Sequence, residues 1–200
     1  VHSFPTRRSS DLVTLLLISV CVLLQGLGML TGPGGSLLSS PPASSLLRWG
    51  ALHSSLAADE PWRFASAVFV HAGLIHLLLN MSALYSLGSA LERQVGSGRT
   101  SILFVASGVF GFIVSLQWAR FGGSPLFTLG SSGAIFGLSG ALVGHLAASR
   151  NPAWKPYLVQ TLVLAAVLAI LPMRIDNAAH LGGLAAGVAL GFAFRKERRS

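Results

Sequence analysis

Charge is what this chain has least of. Only 10% of its 200 residues are Asp, Glu, Lys or Arg, and just 6 of them are acidic; soluble proteins carry about 25%. With 52% hydrophobic residues and a mean hydropathy of +0.67, that scarcity excludes a soluble globular enzyme and a disordered chain. A polytopic membrane protein is the expectation that remains. Cysteine is nearly missing too: Cys21 stands alone in an apolar run, which excludes an intrachain disulfide and a cysteine-built metal site. The 14 basic residues give a net charge of +8. They are scattered between apolar stretches and form no stripe with interleaved aromatics, so nucleic acid is excluded as a partner.

No methionine opens the chain. Val1-His2-Ser3 leads into Phe4-Pro5-Thr6-Arg7-Arg8-Ser9-Ser10-Asp11-Leu12, which is similar to a sequencing adapter read in frame (TTC-CCT-ACA-CGA-CGC-TCT-TCC-GAT-CT). Residues 1–12 are therefore set aside as a non-native leader. That leaves 13–195 as one membrane domain and 196–200 as a basic cytoplasmic tail, with the presence of a further N-terminal domain left open.

Six apolar runs are spaced along the domain, at 12–30, 66–87, 101–119, 129–148, 157–171 and 177–194. Each approaches the length that crosses a hydrocarbon layer of about 30 Å, and lipid-exposed backbone must satisfy its hydrogen bonds within its own helix. An all-α bundle of six transmembrane helices is expected. Residues 32–62, rich in Gly, Pro and Ser, read as a long loop, in which Leu46, Leu47, Trp49 and Leu52 suit a short interfacial helix. Arg93, Arg99, Arg150, Lys155, Arg195, Lys196, Arg198 and Arg199 fall on one side of these spans. Arg48, Arg63, Arg120 and Arg174 fall on the other. The positive-inside bias puts the first set, and both termini, in the cytoplasm. Spans two, four and six then run from the outer face inward.

Polar side chains within spans are costly and mark function, and here they fall on the even-numbered spans. His71, His76 and Asn80 lie in the second, and the last two, four apart, share a helix face. Ser132 opens the fourth in Gly130-Ser131-Ser132-Gly133, and His180 comes early in the sixth. The sixth also carries Ala179, Gly183, Gly187 and Gly191 at four-residue spacing, and the fourth offers Gly133, Gly137, Gly140 and Gly144. Such rows let helices approach closely in lipid. A serine is a weak nucleophile that needs a neutral imidazole within about 2.6–3.2 Å, and Ser132 with His180 supplies that dyad. Asp176, at the span edge, is not expected to complete a triad. His76, the Asn80 amide and the Ser132 backbone N–H are candidate oxyanion donors.

Other readings are weaker. Ser139 repeats the Gly-x-Ser-Gly pattern but lies roughly 10 Å deeper, so it is read as a packing hydroxyl. Ser131 points about 100° away from Ser132 and is the fallback nucleophile. The soluble elbow Gly-x-Ser-x-Gly does not apply, because position 134 is alanine and no strand precedes it. His145 is read as structural and His53 as solvated surface.

Taken together, these motifs resemble the rhomboid family of intramembrane serine proteases. The matching pieces run from about Leu47 to Phe194: Glu60-Pro61-Trp62-Arg63, His71…His76…Asn80, Leu91-Glu92, Gly130-Ser131-Ser132-Gly133-Ala134-Ile135-Phe136-Gly137 and Ala179-His180-Leu181-x-Gly183. The resemblance implies a six-helix bundle with a water-filled site open to the outer side. It implies Ser132 as nucleophile, His180 as base, and an oxyanion site of the Ser132 backbone, His76 and Asn80. It makes His71 an accessory histidine, packs Phe136 against the His180 ring, and gives Trp62, Arg63, Glu92, Gly183 and Gly187 structural roles. It implies no metal and no cofactor. The substrates would be single-span proteins of the bilayer, and the setting a bacterial plasma membrane. One departure is Gln94, where a basic residue often stands; Arg93 precedes it.

Two other functions compete with an active protease. A catalytically silent relative would bind transmembrane clients, although such relatives usually lose the serine or the histidine. A transporter would use His71, His76 and His180 as a proton path, yet no span has an Asp or Glu in its interior.

Overall fold

The computed structural model describes residues 11–31, 40–171 and 175–194. Residues 1–10 of the leader, Arg174 and the basic tail from Arg195 lie outside them. Eight helices and two short strands follow one another among the described residues. They are α1 (Leu12–Thr31), α2 (Ala43–Arg48), β1 (Leu52–His53), α3 (Arg63–Ser66) and α4 (Leu74–Val95). Then come α5 (Ser97–Phe121), β2 (Phe127–Thr128), α6 (Ser132–Ala148), α7 (Trp154–Ile170) and α8 (Asn177–Ala193). Helices α1, α4 and α5 are long and apolar enough to cross a bilayer. Helices α6, α7 and α8 are apolar with 17 residues each, about 25 Å of helix and the short end of the spanning range. This is the all-α bundle of a polytopic membrane protein.

Helix α6 is the axis of the bundle. Its residues from Gly133 to Gly144 are buried without a break, whereas α7 buries a single residue, Thr161. That threonine meets Ser139 of α6 at 2.5 Å, so Ser139 faces α7. Helix α8 lies along α6 with backbone against backbone. A Cβ placed on Gly187 would land on the Gly137 carbonyl, and one on Gly183 or Gly191 on those of Gly133 or Ala141. Only hydrogen fits there, and the contact joins the two helices over several turns.

Two charged residues tie the peripheral segments to one another. The Glu92 carboxylate, near the end of α4, accepts from the amides of Val13 and Thr14 at 3.0 Å, the Thr14 hydroxyl at 2.8 Å and the Ser97 hydroxyl at 2.7 Å. It therefore caps the first turn of α1, where amides have no intrahelical partner and the helix dipole favours an anion. Arg63 is buried, donating to the carbonyls of Leu47 at 2.6 Å and Ala51 at 2.9 Å while pairing with Glu60 at 2.6 Å. Its guanidinium also stacks over the half-exposed Trp62 ring. The segment between α1 and α4 is thus pinned to one carbon centre. Strands β1 and β2 pair antiparallel, Leu52 opposite Thr128, and join this segment to the chain ahead of α6. Contrary to expectation, a two-residue strand therefore does precede Ser132, formed because residues 52–53 offer it a partner.

Several boundaries differ from the hydropathy reading. The second apolar run, expected as a helix from 66, becomes helical only at Leu74, because Gly73 at φ 148° breaks the chain. Residues such as Ala67, Val68 and Val70 are apolar because they are buried in the bundle; they do not span it. His71 accordingly sits in the chain preceding α4, not on a helix face. At the other end, α4 runs on through Glu92 to Val95 and stops at Gly96, whose φ is 88°. His53 is not free surface either: half-buried in β1, it is hydrogen-bonded to Ser55 at 2.7 Å.

The seam between α6 and α8 sets a direct test. Gly187→Val should cost about 3 kcal/mol or more, read as a lowered thermal midpoint in detergent. Gly26→Ala on α1, where an added Cβ meets nothing within 4 Å, should raise stability by about 0.5–1 kcal/mol.

Candidate active site

Helices α4, α6 and α8 bring their N-terminal ends to the same end of the bundle, and the polar residues gather there. Gly130, at φ 111°, turns the chain into α6, and its amide donates to the Ala67 carbonyl at 2.8 Å. Ser132 is the first residue of α6 and His180 the fourth of α8. The close seating of α8 on α6 puts Ser132 Oγ 2.8 Å from His180 Nε2. The Phe136 ring, one turn below Ser132, stacks on the imidazole with centroids 4.5 Å apart and planes at 16°. His180 is 3% exposed and Ser132 is half-buried, so the pair is open on the serine side only.

The neighbouring serine has its own imidazole. Ser131 Oγ lies 3.1 Å from His71 Nε2, while His71 Nδ1 is 3.2 Å from the Phe69 carbonyl. A carbonyl only accepts, so Nδ1 carries the proton and Ser131 donates to Nε2. Burial, with the His76 ring beside it, lowers the proton affinity of His71 to about 3, which keeps the imidazole neutral. Ser131, the fallback of the sequence reading, is fully buried and bonded to His71, apart from the Ser132–His180 contact.

His76 stands edge-on to His71 at 5.2 Å. Its Nδ1 accepts from the Ala72 amide at 3.3 Å, which leaves Nε2 as the protonated nitrogen. That edge lies over Gly130: a Cβ there would come within 2.7 Å of His76 Cε1 and 2.9 Å of Nε2. Asn80 Nδ2 donates to the His76 carbonyl at 2.8 Å, so one of its two amide hydrogens is spent on its own helix. Gly133 lies against the Ala179 carbonyl. Asp176 does not approach His180 as a third member; its two oxygens accept from the Ala179 amide at 2.9 Å and the Ser115 hydroxyl at 2.6 Å. The Ser115 link is the site-end contact that the sequence reading missed, and only the polar residue in an apolar span hinted at it.

A family profile described as the Rhomboid domain matches residues 58–197. The chain belongs to the rhomboid family. It is 37% identical to RHOMBOID-like protein 5 of Arabidopsis thaliana over 78% of this chain and 52% of that protein. It is 35% identical to Rhomboid protease GluP of Bacillus subtilis over 74% of this chain and 29% of that one. Identity to Rhomboid-type serine protease 2 of Emericella nidulans is 32%, over 71% of this chain and 28% of that protein. The rhomboid chain thus matches about half or less of the length of these relatives.

Gly130 tests this geometry. In a Gly130→Ala rhomboid the methyl group would meet the His76 ring in a backbone conformation that side chains rarely adopt. Labelling of Ser132 by a fluorophosphonate should slow by about tenfold or more, since the displaced His76 ring and the turn into α6 lie beside the Ser132–His180 pair. The thermal midpoint should move by only a few degrees.

Proposed function

We propose that this rhomboid is an intramembrane serine endopeptidase acting on single-span membrane proteins through Ser132 and His180. The observation that carries the reading is the 2.8 Å contact between Ser132 Oγ and His180 Nε2, made by residues from two separate helices. Neutral His180, with its proton on Nδ1, accepts the hydroxyl proton at Nε2 as Ser132 Oγ attacks the scissile carbonyl. The resulting oxyanion is met by the backbone N–H of Ser132, unpartnered at the start of a helix, and by the Nε2–H of His76. The remaining Asn80 amide hydrogen is the third donor. His180 then passes its proton to the leaving amine. Water, deprotonated by the same imidazole, releases the acyl group from Ser132.

Orientation follows from charge. Arg93, Arg99, Arg150 and Lys155 stand at the end of the bundle away from Ser132. With that end cytoplasmic, the site opens to the outer side of a bacterial plasma membrane. No metal or cofactor enters the reaction as written. A silent, client-binding rhomboid is the second reading, because relatives such as RHOMBOID-like protein 5 carry names that claim likeness only.

Purified protein and a model single-span substrate in detergent separate the two. Wild type should cleave, and Ser132→Ala and His180→Ala should lose at least about 10³-fold in rate. Ser131→Ala and Ser139→Ala should remain active. Cleavage by Ser132→Ala would assign the wrong nucleophile; a wild type that neither cleaves nor labels with a fluorophosphonate would be the silent binder.

A further inference from the structure

Resting on the protease reading, we infer that Asp176 and Ser115 are positioning residues that hold His180 against Ser132. The Asp176 carboxylate makes two bonds to two helices. Oδ1 accepts from the Ala179 amide and caps α8, while the other oxygen accepts from Ser115 Oγ of α5, 61 residues away in sequence. Ser115 is 3% exposed and Asp176 half-buried, so this bond is shielded on the α5 side.

The residue being held is the one directly before His180. The Ala179 amide is fixed by Asp176, and its carbonyl is wedged between Gly111 of α5 and Gly133 of α6. Gly111 and Ser115 lie four apart on α5 and therefore on one face. Helix α5, which brings no group to the reaction, thus grips the first turn of α8 at two points. Gly182 adds a third contact, its Cα side set against Val114 and Gly111. Among the described residues, the contacts made to the imidazole ring itself are the Phe136 stack and the Ser132 bond. Among the described residues no carboxylate is hydrogen-bonded to Nδ1 to orient the ring. The ring's placement then depends on where the backbone of α8 begins.

The clasp needs an acceptor at the cap and a partner for the Ser115 hydroxyl, not a negative charge. Asn serves at an N-cap about as well as Asp, and its amide nitrogen can donate to Ser115 Oγ. Asp176→Asn should therefore keep kcat within about threefold of wild type, whereas Asp176→Ala should lower kcat by about tenfold to a hundredfold. KM should be unchanged in both. Ser115→Ala should fall between them, and fluorophosphonate labelling of Ser132 should slow in parallel with kcat. Asp176→Ala with wild-type kcat would overturn the proposal. So would Asp176→Asn as impaired as Asp176→Ala, since the charge would then be what matters. Should Asp176→Ala not fold, the comparison of Asp176→Asn with Ser115→Ala still decides, because equal loss in both contradicts the clasp. Failure of the protease reading would instead appear in the wild type, as absent cleavage and labelling.

Discussion

The contact between the backbones of α6 and α8 is the constraint on which the rest of this molecule depends. Lipid tails offer no hydrophobic drive for helices to associate, so helices in a bilayer are held by close packing and by the few polar bonds they make. Here the packing is taken to its limit, with the Gly187 hydrogen facing a carbonyl where a side chain would stand. A hydroxyl and an imidazole borne by different helices meet at hydrogen-bond distance because the two helices have no room to slide. Their ring-stacking partner, Phe136, comes from the same α6 surface.

The polar economy of the chain is of the same kind. Of its 6 acidic residues, three are placed where each satisfies more than one donor. Glu92 closes the start of α1, Asp176 closes the start of α8, and Glu60 neutralises the buried Arg63. Each bond to a charged partner contributes about 1.5–3 kcal/mol, and more is lost when a buried donor is left alone. A chain poor in charge thereby fastens three peripheral segments to one apolar bundle.

Much of this could be read from the sequence, and the limits of that reading have physical causes. Four-residue glycine spacing identified the helices that approach most closely, since a missing Cβ acts through space as directly as a present one. Ser132, His180, His76 and Gly130 share one end of the bundle because helix direction alternates between spans. Hydropathy failed at His71: an average over apolar residues does not separate a segment buried in protein from one crossing lipid, and the break at Gly73 has no weight in it. The β1–β2 pairing and the bond from Ser115 to Asp176 were illegible for another reason. Both join residues more than sixty positions apart, and a single chain of letters carries no distance between them.

Helix lengths around the bundle are unequal. Helix α5, with 25 residues, is about 37 Å tall, while α7 and α8 reach only about 25 Å. A surrounding bilayer of uniform thickness does not match both flanks. The annular lipid beside the short helices has to compress, or the whole body has to lean, at a cost of fractions of a kcal/mol for each ångström. Thickness of the host membrane thereby becomes a variable that bears on how this bundle seats in its bilayer.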